Sequence, residues 1–259
     1  MRPKKSLGQN FLKDDSVIDR IVDGLEVSTS DTIVEIGPGR GALTERLVST
    51  GANVIAIEID RELVPVLRTQ FHFHENFKVV EADILTFDLE ELLAGASPIN
   101  TKLVGNLPYY ISTPIIQKLT EFRHLFSRSV LMLQREVVER LTAKPGESER
   151  GFITVLVEDA FEAKHLFDVP PQAFFPPPKV WSSVMSLEPK NSEIADNKSF
   201  RNLVSNSFAQ KRKTILNNLK ANFPNASEML RDSGIDPGRR AETLTLDEWK
   251  KLAGNISGS

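Results

Sequence analysis

The chain has 259 residues, 32 Lys and Arg against 35 Asp and Glu for a net charge of −3, and 40% hydrophobic residues. Zero cysteines exclude disulfides, thiolate metal sites and a cysteine nucleophile. No apolar run approaches the ~20 residues of a membrane span, and none follows Met1-Arg2-Pro3-Lys4-Lys5 as in a secretion signal, so the sequence reads as a reduced, cytoplasmic, enzyme-sized protein.

From about residue 15 to residue 135, β-rich runs alternate with helical patterns. Thr32-Ile33-Val34-Glu35-Ile36 reads as a buried strand ending in glycines, and 42–49 as a helix with Leu43 and Leu47 on one face. Residues 53–59 form the next strand and 61–70 the next helix; strands at 77–80, 102–104 and 129–133 follow. This alternation predicts a parallel sheet covered by helices on both faces, an α/β architecture. Residues 151–161 stay open between strand and helix: Ile153, Thr154, Val155 and Val157 favour a strand, the length and Glu158-Asp159 a helix. Residues 169–179 hold Pro170, Pro171, Pro176, Pro177 and Pro178, which exclude a central strand or a helix interior and read as a rigid connecting loop. A linker at 188–192 leads to helical spacing, with Phe200, Leu203, Val204 and Phe208 on one face, Ile215, Leu216 and Leu219 on another, and a capping box at Thr245 and Glu248. The expected organisation is a larger domain over 1–188 and a small all-α domain over 189–259.

The strongest local signal is Glu35-Ile36-Gly37-Pro38-Gly39-Arg40-Gly41 between a strand and a helix. Glycines let the backbone turn sharply and approach a ligand. Glu58, nineteen residues past Gly39 (58 − 39), can accept both hydroxyls of a ribose. A dinucleotide site spaces its glycines Gly-x-Gly-x-x-Gly, whereas Gly41 comes one position early, after an acidic Glu35. The pattern resembles S-adenosylmethionine-dependent methyltransferases, whose ligand carries an ammonium and a sulfonium; Glu35 would act through water or as a loop brace. Asp83 sits where an acceptor for the cofactor's adenine amine is needed, although a turn aspartate looks the same.

Asn106-Leu107-Pro108-Tyr109 resembles the active-site tetrad of methyltransferases that act on an amino group conjugated to a ring. An amide oxygen from Asn106 and the Pro108 carbonyl can both accept from adenine N6, and Tyr109 offers a ring for stacking, worth ~1–3 kcal/mol per base. The resemblance extends over the chain through Lys5-Ser6-Leu7-Gly8-Gln9-Asn10-Phe11-Leu12, Phe174-Phe175-Pro176-Pro177-Pro178-Lys179-Val180 and Gly234-Ile235-Asp236-Pro237-Gly238-Arg239-Arg240-Ala241-Glu242. These motifs are similar to those of the ribosomal RNA adenine N6,N6-dimethyltransferases.

That resemblance implies a Rossmann-like, S-adenosylmethionine-dependent domain with the small helical domain behind it, a helix over 151–161, and no metal. It implies transfer of methyl groups to two adjacent adenines in the 3′-terminal hairpin loop of 16S rRNA, by a monomer acting on a 30S precursor. Asn10 and Leu12 would close over the cofactor, Gly37 would line its methionine and ribose end, Glu58 would hold the ribose, Asp83 would read the adenine, and Asn106 would lie between cofactor and target. Phe174 would stack on the target base opposite Tyr109; Tyr110 has no assigned role.

With so little net charge, RNA would be met by local patches: Arg2, Lys4, Lys5 and Lys13, and Lys198, Arg201, Lys211, Arg212, Lys213 and Lys220, where 198–220 holds no acidic residue. His72, His74, His124 and His165 form no catalytic or metal pattern. A 23S rRNA adenine methylase shares the Asn-x-Pro-Tyr logic; a non-catalytic RNA-binding factor and a nicotinamide oxidoreductase are the other readings, opposed by the intact tetrad and by Gly41.

Overall fold

A computed structural model describes residues 3–4, 7–192 and 197–255. Arg2, Lys5 and Ser6 lie outside the described residues. The chain divides into two compact units, one of residues 1–138 and 162–189, the other of 139–161 and 190–259.

The first unit is built on strands β1 (Phe11–Leu12), β2 (Thr32–Ile36), β3 (Asn53–Glu58), β4 (Phe77–Glu81), β5 (Thr101–Asn106), β6 (Arg128–Gln134), β7 (Phe161–Val169), β8 (Phe174–Phe175) and β9 (Ser182–Pro189). Seven of them form one sheet in the order β4-β3-β2-β5-β6-β9-β7, and β1 pairs separately with β8. The helices between the early strands are α1 (Asp15–Leu25), α2 (Ala42–Ser49), α3 (Leu63–Gln70), α4 (Leu89–Leu92) and α5 (Ser112–Glu121). Strands β4, β3, β2, β5 and β6 are mutually parallel, as the alternation requires. Strand β9 runs antiparallel to β6, so the sheet is mixed rather than parallel. No helix intervenes between β7 and β9 other than a single 3₁₀ turn; the chain returns through the Pro-rich loop, and a crossover helix is what a parallel return would need.

Apolar strands buried on both sides hold this sheet. Ile33 belongs to one apolar cluster with Val17, Ile18 and Ile21 of α1, Leu43 and Leu47 of α2, and Val104, Val130 and Val184 of the neighbouring strands. Val34 and Ile36 point to the opposite face by the two-residue alternation and are also buried. The order reverses between β2 and β5, which opens a crevice at the carboxyl ends of those strands.

The second unit begins within α6 (Arg135–Leu141) and contains α7 (Phe152–Ala160), α8 (Lys198–Ser207), α9 (Ile215–Leu219), α10 (Ala226–Asp232) and α11 (Leu246–Gly254). The stretch open between strand and helix is therefore the helix α7, and a strand starts only at Phe161. Tertiary burial overrides its β-branched residues: Val155 and Leu156 belong to one apolar cluster with Phe200, Leu203, Leu219 and Trp249. A single cut at 188/189 thus does not describe the units, because α7 packs with the C-terminal helices. The capping box forms: Glu248 N–H donates to Thr245 Oγ1 at 3.3 Å and Thr245 N–H to Glu248 Oε2 at 2.8 Å. Among the described residues no helix is long and apolar enough to cross a membrane.

Trp249 is 0% exposed at the centre of this cluster. Trp249→Ala is expected to cost about 3–5 kcal/mol, read as a lower denaturant midpoint of the second unit by tertiary circular dichroism.

Candidate active site

The crevice at the strand ends holds one cavity lined by Asn10, Leu12, Gly37, Glu58, Asp83, Asn106, Pro108 and Tyr109, eight residues singled out from the sequence. They reach it from several different turns. Gly37, Gly39 and Gly41 all take positive φ between β2 and α2. A Cβ on Gly41 would lie 2.7 Å from the Phe71 ring, and one on Gly39 3.1 Å from Phe11, so neither position tolerates a side chain without a shift.

Glu58 ends β3 and is buried. Its Oε2 accepts from the Gly39 amide at 3.1 Å and its Oε1 from the Asp60 amide at 2.8 Å. Burial pushes its pKa up and those amides pull it back. Each oxygen keeps a second lone pair for a hydroxyl donor, which fits a ribose. Asp83 spends Oδ1 on the Leu85 amide at 2.9 Å, the turn role, and keeps its other oxygen for an incoming donor.

Glu35 does not face the cavity as a plain anion. It is buried, accepts from the Thr44 hydroxyl at 2.6 Å, and its pKa is pushed up to about 8 by burial, with the nearby Glu58 charge adding to the shift. It is a protonated brace between β2 and α2 at neutral pH.

The tetrad follows β5. Asn106 Nδ2 donates to the Asn10 carbonyl at 3.1 Å, which leaves Oδ1 as the outward acceptor. The Pro108 carbonyl accepts from the Ile111 amide at 3.2 Å and closes a turn that carries Tyr109 and Tyr110. The Tyr109 hydroxyl bonds Ser182 Oγ at 2.9 Å, and burial raises its pKa, so the phenol stays neutral.

Phe174 is the one expected site residue placed elsewhere. It is 2% exposed, lies in the apolar core of the first unit, and pairs in register with Leu12 across β1 and β8. Alternation along β8 turns its neighbour Phe175, 54% exposed, toward solvent instead.

Sequence reading missed Asp60. Its Oδ1 accepts from Lys4 Nζ at 2.7 Å and its Oδ2 from Gln9 Nε2 at 2.8 Å, while Lys4 N–H donates to Gln9 Oε1 at 2.8 Å. Burial alone would raise the Asp60 pKa; the Lys4 and Gln9 hydrogen bonds outweigh it and hold the carboxyl below its ordinary range. Asp60 therefore fastens the N-terminal segment that carries Asn10 and Leu12. Lys4 is committed to this clasp and to Glu62, at 2.9 Å, so it is not the RNA-facing cation that its sequence position suggested. A carboxylate two residues past Glu58 was the available signal, but nothing local ties it to partners over fifty positions away. Among the described residues no group of three or more His, Asp or Glu is placed to hold a metal ion.

A family model described as Ribosomal RNA adenine dimethylase matches residues 1–257. The chain belongs to the ribosomal RNA adenine dimethylase family. A protein of Geobacter metallireducens named Ribosomal RNA small subunit methyltransferase A is 44% identical to it, covering 98% of this chain and 95% of its own. Among solved structures, a dimethyladenosine transferase from Plasmodium falciparum is similar with a TM-score of 0.80 at 29% identity, over 93% of this chain and 95% of that one. The 23S rRNA methyltransferase ErmE is similar with a TM-score of 0.72 at 26% identity, over 95% and 99%.

Two measurements probe these contacts. Glu35 binds its proton more tightly folded than unfolded, so the apo protein should lose stability as pH rises from about 5 to 8. Glu35→Gln should flatten that slope, followed as the urea midpoint at each pH. Asp60→Asn should weaken binding of S-adenosylmethionine about tenfold by calorimetry, with faster amide exchange over 7–12.

Proposed function

We propose that this protein transfers methyl groups from S-adenosylmethionine to N6 of two adjacent adenines in the 3′-terminal hairpin loop of 16S rRNA, within a 30S precursor in the cytoplasm. The observation that carries the reading is the Asn106 amide, fixed by the Asn10 carbonyl with its oxygen as acceptor in the cavity that also holds Glu58 and Asp83.

Bound S-adenosylmethionine supplies an electrophilic methyl group. Glu58 would hold its ribose hydroxyls, Asp83 would accept from its adenine amine, Gly37 would line the methionine and ribose end, and Asn10 and Leu12 would cover it. The N6 lone pair of the target adenine is delocalised into the ring and attacks poorly as it stands. Asn106 Oδ1 and the Pro108 carbonyl accept its two N–H bonds and draw the nitrogen toward a pyramidal shape, with the lone pair aimed at the methyl carbon. Once methylated, that nitrogen would be acidic and would give its proton to water. No strong base is needed. Alignment supplies the acceleration, for which about 7–11 kcal/mol is available.

Tyr109 stacks on one face of the base, its ring pinned by Ser182. Phe174 stays in the apolar core, in register with Leu12, and is given no contact with the base. RNA phosphates are met by Lys13 and by the exposed Lys198, Lys211, Arg212, Lys213 and Lys220, with Arg201 half-buried beside them. Affinity then falls steeply with salt.

Likeness to ErmE supports a second reading, methylation of 23S rRNA. Labelled S-adenosylmethionine offered with immature 30S particles and with protein-free 23S rRNA separates the two; label in 23S rRNA alone overturns the proposal. Asn106→Ala should abolish transfer with cofactor affinity reduced less than about fivefold. Glu58→Ala should raise the cofactor dissociation constant more than tenfold. Equal losses of both quantities in both variants would reject this division of labour.

A further inference from the structure

We propose that Trp181 is a stacking platform for a base of the RNA strand adjoining the target adenine. The inference rests on the reading that an RNA base enters beside Tyr109.

Trp181 immediately precedes Ser182, whose Oγ holds the Tyr109 hydroxyl. Its own carbonyl accepts from the Arg135 amide at 3.0 Å. The indole is therefore carried on backbone held by β6 and joined to the residue that pins Tyr109, while the side chain is 45% exposed. Large aromatic rings are usually well buried, so a held, half-exposed indole needs a reason. Trp181 does not line the cavity and cannot be a ring that grips the target base itself.

Its surroundings name the occupant. Val180 is exposed beside it, Lys179 offers an exposed ammonium one residue further back, and Phe175 is exposed on the same proline-stiffened loop. Rings for bases with a cation for the intervening phosphate are the chemistry of single-stranded nucleic acid, and stacking of this kind tolerates any base. An apolar protein partner would use the rings but leave Lys179 unmatched. A loop nucleotide beside an extracted adenine matches both and arrives with the substrate.

The molecule carries its own probe. It has two tryptophans, and Trp249 is fully buried, so the emission lost in Trp181→Phe belongs to Trp181. The full-length protein is titrated with a short RNA hairpin bearing two adjacent adenines in its loop, and with immature 30S particles for activity. Stacking predicts quenching of the Trp181 emission and shielding from acrylamide on adding the hairpin. Trp181→Ala should raise KM for RNA about 5- to 100-fold while the S-adenosylmethionine dissociation constant stays within twofold, and Trp181→Phe should recover most of the loss. A thermal midpoint within a few degrees of the parent for Trp181→Phe keeps the comparison clear of misfolding. Methylation by the parent protein with unaltered Trp181 emission, or with KM unmoved in Trp181→Ala, overturns the inference alone. Absence of methylation on both RNAs overturns the proposed function and this inference with it. Quenching by an apolar peptide but not by RNA would assign the patch to a protein partner and also reject it.

Discussion

Two carboxylates at the end of β3 tie together the segments that make the cavity. Glu58 draws in the glycine turn through the Gly39 amide, and orders its own continuation through the Asp60 amide. Asp60 then takes Lys4 and Gln9, bringing the N-terminal segment across the strand ends. That segment delivers the Asn10 carbonyl, which sets the orientation of Asn106. Glu58 and the Asn106 amide are thus linked by a short succession of contacts, each with a defined donor and acceptor. Charged hydrogen bonds of this kind are shorter and stronger than neutral ones, and they keep their geometry in a partly dry crevice.

The same crevice shows how one region accommodates three acidic residues. Glu35 stays protonated in the dry turn between β2 and α2, Glu58 is held by two backbone amides, and Asp60 is paired with a lysine. Mutual repulsion is reduced because Glu35 carries its proton and Lys4 faces Asp60.

Most of this architecture was legible in the order of apolar runs and glycines, because a parallel strand buried on both faces cannot disguise its composition. The gathering of Glu58, Asp83 and Asn106 around one cavity was legible for a related reason: side chains at and just past strand ends line the crevice of an open α/β sheet. Other features depend on distant partners. Nothing near 182–189 reveals that β9 will run antiparallel to β6. The β-branched residues of α7 look like a strand until Trp249 and Leu203 bury them as a helix. The two rings at 174 and 175 are equivalent in sequence, and only pairing with β1 decides which of them is inside. Asp60 escapes sequence reading because its partners, Lys4 and Gln9, are set by the fold rather than by spacing.

The discontinuous make-up of the second unit limits where the molecule can be shortened. Ending the polypeptide at the linker near 189 would remove every C-terminal helix against which Val155 and Leu156 are buried, yet keep α7 itself. What remained would be a sheet-bearing fragment trailing an oily, unsupported helix, prone to clump with its copies. An independently soluble methyl-transfer module therefore has to lose 139–161 as well, with a short bridge joining 138 to 162.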